Sequence, residues 1–378
     1  MKSRYISLFS ILTVFLLLIS CKQSSKPTSQ IEASSELKYA ELFSIDQTNP
    51  NYTKVLVYNP WNNRNVYHTY YLVRNEEQET PSDGIKIQIP VTDIVTTSAT
   101  QVGFIDLLGE LGQIKGITDI EYVYNPFLLE QFKAGNIQNL GQSFNINTEN
   151  LLLLNPNILF VTAYNGDNSE ADKMKRLNQK PVYNLEWQES TLLGRAEWIK
   201  FIGVFFDKSE QADSIFNEIE QNYLQAKEIT ASITEEPTIL SGQDFRGAWA
   251  LPSGTSYAAQ LFKDAKVDYY YKDETQHQAS IPSSIEEALV YFHDADLWIN
   301  VNSKTFKELE AENDKYSLFK AFKNKNVYNN SKRSNPNGGN DYWESGIARP
   351  DLLLMDLIKI AHPELLKDYE LTYMQKLK

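Results

Sequence analysis

Apolar and polar residues follow two different periods along this chain, and the two periods alternate. Three early runs, 54–58, 67–73 and 85–89, are rich in β-branched and aromatic residues and are separated by turn-forming residues, which predicts three strands. Over 100–111 the apolar residues recur three apart, as they do on one face of a helix. Strand-like apolar runs such as 158–161 then alternate with helical patterns, and this alternation predicts βα units around a parallel sheet.

The longest helical pattern lies in the middle of the chain. Residues 195–206 are mostly apolar, and Asp207 and Glu210 have the spacing of a capping box that would open a second helix over 208–231. Such a helix would be about 36 Å long at about 1.5 Å per residue, which is enough to connect two lobes. After Pro237 the alternation of strands and helices begins again. The pattern therefore predicts two α/β halves with one long helix between them.

The composition narrows the range of partners. The 378 residues carry a net charge of −13, and phosphate backbones are bound by clustered basic residues, so nucleic acid is not an expected partner. The four histidines are scattered, and a single cysteine leaves neither a disulfide framework nor a thiolate metal site. The segment 254–258 lacks the surroundings of a nucleophile elbow. We therefore expect no catalytic residues, no resident metal and no cofactor.

The first residues have the pattern of an export signal. Two basic side chains precede an apolar run over 6–19, which is shorter than a typical membrane span and ends in Leu18-Ile-Ser-Cys21. That tetrapeptide resembles the lipobox of bacterial lipoproteins. The resemblance implies a signal peptide over 1–20 and acylation of Cys21, and two or three acyl chains would anchor the protein firmly. An ordinary signal peptide with an accidental cysteine is the alternative. The polar residues that follow predict a flexible tether over 21–44.

Four groups of short motifs occur along the chain. Each motif alone is a weak signal, but their order and spacing together are specific. They are the segment 97–117; Leu140-Gly141 with Asn147-Thr-Glu149 and Leu154-Asn-Pro156; the segment 195–223; and Asn326-Val-Tyr328 with the segment 340–351. Together they resemble the substrate-binding proteins of iron-siderophore and vitamin B12 ABC importers, in the bacterial lipoprotein branch of that family. The similarity extends from about Val91 to Leu366.

This resemblance implies a fold and a division of the chain. The family has the class III periplasmic-binding-protein fold, an α/β fold in which two Rossmann-like lobes are bridged by a single long rigid helix. That bridge agrees with the long helix inferred from spacing alone. We accordingly assign an N-terminal α/β lobe to 45–192, linking helices to 193–231 and a C-terminal α/β lobe to 232–378.

The resemblance also implies two docking carboxylates. In the family, one exposed glutamate on each lobe pairs with basic residues of the permease. Glu149 matches the N-lobe position, and Glu286 is the candidate on the C-lobe. Glu287 is the alternative, because the following loop departs from the usual length. Acids in the first turn of a helix also interact with the helix macrodipole, which gives both residues a purely structural explanation.

Ligand contacts are expected in the loops that follow the strands, because those loops form the binding crevice in open α/β sheets. Here they are rich in aromatic residues with a few arginines, which suits a large, partly flat and anionic chelate. The candidates are Tyr124, Tyr164, Arg246, Trp249, Tyr342 and Trp343, with Arg333 and Arg349 as alternative arginines.

These observations together predict a lipid-anchored, monomeric ligand-capture protein that faces the periplasm. It would bind a ferric siderophore between its lobes and deliver it to an ABC permease with its ATPase. Cobalamin and haem are alternative ligands. The alternative function is that of a sensor or adhesin of the same fold that feeds no permease, and the presence or absence of neighbouring permease and ATPase genes would distinguish the two.

Overall fold

The computed structural model describes residues 37–165 and 169–378. The lipobox cysteine Cys21 and the signal peptide predicted over 1–20 lie outside the described residues. Within the described ranges, no helix is both long enough and apolar enough to cross a membrane.

The three strands predicted near the start form one sheet with a fourth strand. In chain order the strands are β1 (Phe43–Asp46), β2 (Thr53–Tyr58), β3 (Val66–Val73) and β4 (Ile85–Gln88). β1, β2 and β3 pair antiparallel, whereas β4 pairs parallel with β3. β1 lies at the end of the segment that the sequence predicted as tether. The apolar side chains of this sheet join the core of the N-terminal lobe.

A parallel sheet forms the centre of the N-terminal lobe. The lobe continues with β5 (Ile94–Thr96), α1 (Ala99–Leu107), β6 (Ile114–Ile117), α2 (Pro126–Lys133), β7 (Gln138–Asn139), β8 (Gly141–Gln142), β9 (Asn145–Ile146), α3 (Thr148–Leu154), β10 (Leu159–Val161), α4 (Ser169–Arg176) and β11 (Pro181–Tyr183). The sheet order is β11-β10-β5-β6-β7, with all neighbours parallel. The carboxyl ends of these strands therefore meet at one edge, where ligand crevices form.

Two helices lead from the first lobe to the second. All residues of α5 (Leu192–Phe205) are buried, so this helix lies inside the molecule. In the 21-residue α6 (Ser209–Ile229), Phe216 packs in the core of the N-terminal lobe, whereas Tyr223 packs in the core of the C-terminal lobe. The helix is about 32 Å long and joins the two cores, which confirms the predicted bridge.

The capping box predicted at the start of this bridge is wrong. Asp207 has a left-handed φ of 56°, and its carboxylate accepts hydrogen bonds from the Arg74 guanidinium at 2.6 and 3.1 Å instead of capping the helix. The residue that precedes the helix is Lys208, and its side chain makes no capping hydrogen bond. An ion pair with a distant strand thus replaces the local cap.

The C-terminal lobe repeats the α/β pattern. It contains β12 (Ile239–Ser241), β13 (Trp249–Pro252), α7 (Tyr257–Asp264), β14 (Ser280–Ser283), α8 (Ile285–Phe292), β15 (Leu297–Val301), α9 (Phe306–Glu312), α10 (Lys320–Lys323), β16 (Val327–Asn329), α11 (Ser345–Ala348), α12 (Pro350–Ala361) and β17 (Gln375–Lys376). The main sheet has the order β12-β15-β16-β17, and only its last strand is antiparallel. β13 and β14 form a separate antiparallel pair.

Two buried glutamates attach the start of the described chain to the body. The Glu197 carboxylate on α5 is fully buried and accepts hydrogen bonds from the backbone N–H groups of Lys38, Tyr39 and Ala40 at 2.8–3.1 Å. The Glu189 carboxylate accepts from the N–H groups of the next two residues, each at 3.0 Å. From Lys38 onward, the segment predicted as tether is therefore held on the molecule.

Replacing Glu197 by alanine is expected to lower the free energy of unfolding by about 3–5 kcal/mol. The substitution leaves three N–H groups without their acceptor and removes the carboxylate that lies 3.0 Å from the buried Lys200 ammonium. Urea unfolding followed by circular dichroism measures the loss. Glu41→Ala is the control, because it breaks an exposed pair with Arg64 and should cost less than about 1 kcal/mol. Equal losses in both variants would contradict the stabilising role assigned to Glu197.

Candidate ligand cleft between the lobes

The two lobes touch at a second place besides the linking helices. On one side of this contact, the Tyr124 N–H of the N-terminal lobe donates a 2.7 Å hydrogen bond to the Glu344 carboxylate of the C-terminal lobe. On the other, the Asn335 side-chain amide donates to the Val123 carbonyl at 2.8 Å. Gly339 allows the close approach, because a Cβ there would lie 2.2 Å from that carbonyl oxygen. We call these two hydrogen bonds and their loops the interlobe latch.

Acidic side chains surround the latch. Burial raises the pKa of Glu344 to about 8, although the hydrogen bond from the Tyr124 N–H opposes the shift and the negative charge of Asp341 adds to it. Burial likewise raises the pKa of Asp106, again with a contribution from Asp341. The Arg333 guanidinium offsets part of this charge, since its Nε lies 2.6 Å from the Asp341 carboxylate. The contact between the lobes at the latch therefore depends on the protonation state of Glu344.

The carboxyl edge of the N-terminal sheet is a polar floor with unpaired atoms. Thr118 follows β6 and donates its N–H to the Thr96 carbonyl at the end of β5, while Asn184 follows β11 and donates its N–H to the end of β10. Buried polar groups normally find hydrogen-bond partners. Within the described residues, however, several buried side-chain atoms here have none: Thr96 Oγ1, Gln101 Nε2, Thr118 Oγ1, both amide atoms of Asn184, and Trp187 Nε1.

Arg195 on α5 lies where this floor meets the C-terminal lobe. Its side chain is only 4% exposed, and its guanidinium sits 4.3 Å from the ring centroid of Tyr257 on α7. The buried Glu186 is close enough for the two charges to interact, and Glu186 also bonds the Thr100 side chain. Nε and Nη1 of Arg195 nevertheless have no hydrogen-bond partner among the described residues.

An aromatic wall rises beside the polar floor. Phe144, Tyr164 and Trp187 pack in series, with ring centroids 4.8 and 5.6 Å apart and ring planes tilted by 41° and 39°. Tyr164 is 52% exposed and Phe144 is 70% exposed, so the wall presents large apolar faces to its surroundings. Burial raises the pKa of Tyr164, and the nearby charge of Glu186 adds to the shift, which places the wall next to the floor. Such a surface fits a large flat or apolar ligand.

Two of the predicted ligand contacts, Trp249 and Arg246, have surroundings that differ from those of the others. Trp249 has no exposed surface: its ring stacks on Trp298 at 5.9 Å in the C-lobe core, and its Nε1 donates to the Ser241 carbonyl. A large ring in a short strand packs inward, so Trp249 presents no surface to a ligand in this structure. Arg246 is exposed, but it occupies a tight turn with φ of 55° and its guanidinium lies near the ring of the adjacent Phe245.

The remaining predicted contacts flank the junction of the lobes. Tyr124 lies in the latch, where the Arg333 guanidinium is 5.7 Å from its ring centroid. Tyr342 is buried, packs edge-on against Trp343 at 4.7 Å and interacts with the charge of Arg195. Trp343 is 45% exposed. Arg349, an alternative arginine, pairs with Asp351 at 2.7 Å and therefore has a structural partner.

The predicted docking acids are both exposed and lie in first turns of helices. Glu149 opens α3, and no side chain that the structure describes pairs with it. Glu286 opens α8 and pairs with the Lys315 ammonium, which holds the pKa of Glu286 below its ordinary value. The alternative, Glu287, accepts from the Ser284 N–H as part of a capping box. Glu287 is thus a member of the capping box, whereas Glu286 is not.

Sequence reasoning missed Arg195, Glu186 and Trp187. A signal was present, because the apolar pattern of α5 contains Arg195, Glu197 and Lys200 on different faces of a helix that is buried all round. Charges in such a helix must meet partners inside the molecule. In the described part of the chain, no group of three or more His, Cys, Asp or Glu side chains is placed to hold a metal ion.

Comparison with known proteins agrees with this architecture. An uncharacterized lipoprotein of Methanocaldococcus jannaschii is 28% identical over 91% of this chain and 86% of its own. The TroA-like periplasmic binding protein FepB from Veillonella parvula superposes with a TM-score of 0.54 at 18% identity, covering 76% of this chain and 95% of that one. Staphylococcus aureus IsdE, solved in complex with haem, superposes with a TM-score of 0.52 at 20% identity, covering 72% and 99%.

The family profile of periplasmic binding proteins matches residues 94–333, which include parts of both lobes and the helices between them. The match begins near Val91, where the similarity noted from the motifs begins, and ends before the segment 340–351. The structural neighbours share the two-lobed α/β fold. The chain therefore belongs to the periplasmic binding protein family, in the branch that serves iron-siderophore and vitamin B12 ABC importers, and it has the class III fold of that branch.

Proposed function

We propose that this protein captures an iron complex, a ferric siderophore in the first instance, in the cleft between its lobes and delivers it to an ABC permease. The observation that carries the proposal is the aromatic wall beside the polar floor at the carboxyl edge of the N-terminal sheet. Large chelates present flat or apolar faces together with polar rims, and a wall with unpaired donors and acceptors beneath it suits both.

The exposed acids support delivery to a partner. Each candidate docking helix also carries a large apolar side chain that faces outward: Leu153 on α3 is 76% exposed, and Val290 on α8 is 74% exposed. Apolar residues beside an exposed charge are typical of a contact surface, where the charge sets orientation and association rate and the apolar area adds affinity. Glu149 and Glu286 would thus mark one docking patch on each lobe.

The membrane anchor belongs to the same proposal. Acylation of Cys21 would keep the body close to its permease, and the lipoprotein relative from Methanocaldococcus jannaschii supports an envelope location. Labelling cells with a radioactive fatty acid tests the anchor directly. Label should enter the wild-type protein and be absent from Cys21→Ala, whereas label in both proteins would contradict it.

Tryptophan fluorescence tests capture itself. Ferric hydroxamate, ferric catecholate, ferric citrate, haem and cobalamin are titrated separately, and at least one of the iron complexes should quench the emission, because Trp187 lies in the wall. Trp187→Phe keeps a stacking ring and should retain affinity while losing much of the signal. Trp187→Ala should weaken binding about tenfold, since it removes the stacking face. If none of the complexes is bound, the proposed ligand class is wrong.

A further inference from the structure

Arg195 carries a buried charge that the protein itself leaves incompletely partnered. The side chain is 4% exposed, and its Nε and Nη1 atoms have no hydrogen-bond partner in the parts of the chain that the structure describes. A buried cation is costly unless it is both paired and hydrogen-bonded. The ring of Tyr257 offers only a cation–π contact at 4.3 Å. The guanidinium therefore has two donors available for an acceptor that the fold does not provide.

The surroundings of Arg195 indicate what such an acceptor would be. Glu186 lies near enough to interact, but it is itself fully buried, and the desolvation that raises its pKa disfavours its negative charge. Ordered water could satisfy the free N–H groups, yet water brings no charge. An anionic oxygen would satisfy both needs, because it accepts a hydrogen bond from the guanidinium and offsets its positive charge.

The position of Arg195 makes that acceptor a ligand group. The residue interacts with both lobes: its charge acts on Glu186 of the N-terminal lobe, and on the C-terminal lobe it lies over the ring of Tyr257 and interacts with Tyr342. Asn300 bonds Tyr342, and its Oδ1 has no hydrogen-bond partner among the described residues. A group bound at Arg195 would therefore meet both lobes.

We infer that Arg195 is the anion-recognition residue of the cleft, and that the complex captured there carries a carboxylate or another anionic oxygen that this guanidinium receives. The inference rests on the proposed capture function and narrows it, since it favours negatively charged complexes over neutral ones. It adds a buried arginine to the exposed Arg246, which the sequence suggested as a ligand contact.

The test compares complexes that carry free carboxylates, called charged below, with complexes that carry none, called uncharged. The full-length chain in detergent is titrated with haemin and haemin dimethyl ester, and with ferric citrate and ferrichrome. Arg195→Met should bind the charged member of a pair at least about tenfold more weakly than the wild type does. The uncharged member should bind both proteins alike. Arg195→Lys keeps the positive charge but has fewer hydrogen-bond donors, so its affinity for the charged complexes should lie between those of the wild type and Arg195→Met. This variant also provides a test if the methionine variant folds poorly.

Arg74→Met is the matched control, because Arg74 pairs with Asp207 on the surface and the variant should bind as the wild type does. Equal affinity of wild type and Arg195→Met for the charged complexes would overturn the inference while leaving capture intact. If the wild type binds no complex, capture of an iron complex fails, and melting with citrate alone decides the role of Arg195. Citrate should then raise the melting temperature of the wild type and not that of Arg195→Met; equal responses would overturn it.

Discussion

Reversing the charges of Glu149 and Glu286 together should abolish uptake of the ligand and leave its affinity unchanged. Both carboxylates are exposed in the first turns of helices, so lysine replaces them without burying a charge. At a docking surface, each reversal turns an attraction into a repulsion, and like-charge contacts suppress association strongly. Uptake of labelled iron complex by cells that carry only the double variant measures the effect, and we expect at least a tenfold loss, equivalent to about 1.4 kcal/mol.

A matched control separates docking from net charge. Glu77 and Glu364 are exposed on the N-terminal and C-terminal lobes respectively, and reversing both changes the net charge by the same amount. Glu77→Lys with Glu364→Lys should therefore transport normally. Normal uptake in the Glu149 and Glu286 variant would show that these acids serve only their helices. Single reversals would show how much the pairing of Glu286 with Lys315 weakens its contribution.

Glu344→Gln should stabilise the protein at alkaline pH and change little at acidic pH. Burial raises the pKa of Glu344 to about 8, so the folded protein holds this proton more tightly than the unfolded chain does. The stability from this group is fully present below the unfolded pKa, near 4.5, and falls as the pH rises until the folded carboxyl ionises at about 8. The loss is on the order of 4–5 kcal/mol across that window.

Glutamine mimics the protonated acid and can still accept a hydrogen bond from the Tyr124 N–H. The comparison of the two proteins therefore isolates the ionisation of Glu344. Melting curves of wild type and variant should coincide near pH 4 and separate progressively toward pH 9, with the variant more stable. Glu121→Gln, an exposed acid of the N-terminal lobe, should run parallel to the wild type at every pH. Parallel curves for Glu344→Gln as well would mean that Glu344 ionises normally.

The sequence predicted the fold well because its signals were local and periodic. The strands β2, β3 and β10 and the bridge α6 all lie close to their predicted positions. Where a non-local partner decided the structure, the prediction failed. Asp207 forms an ion pair with Arg74, which is 133 residues away, and this contact cannot be read from the spacing of a capping box.

The candidate site was harder to predict for the same reason. Trp249 and Trp343 are both aromatic residues near strand or loop boundaries, yet one is wholly buried and the other is 45% exposed. Only the packing of the C-terminal lobe separates them. Arg195 was missed for a different reason. Its neighbours in the sequence are apolar, so the segment was interpreted as part of the hydrophobic core. Its unpaired donors become visible only when both lobes are assembled around it.

The interlobe latch has a kinetic consequence. Because Asn335 and Glu344 bond the opposite lobe, opening the cleft must break these contacts as well as bend the linking helices. A captured complex would therefore leave more slowly by spontaneous opening than it would without the latch. A partner that grips both lobes could pull the latch apart and so set the moment of release. The residence time of the ligand would then be set by the docking surface of the partner rather than by the cleft.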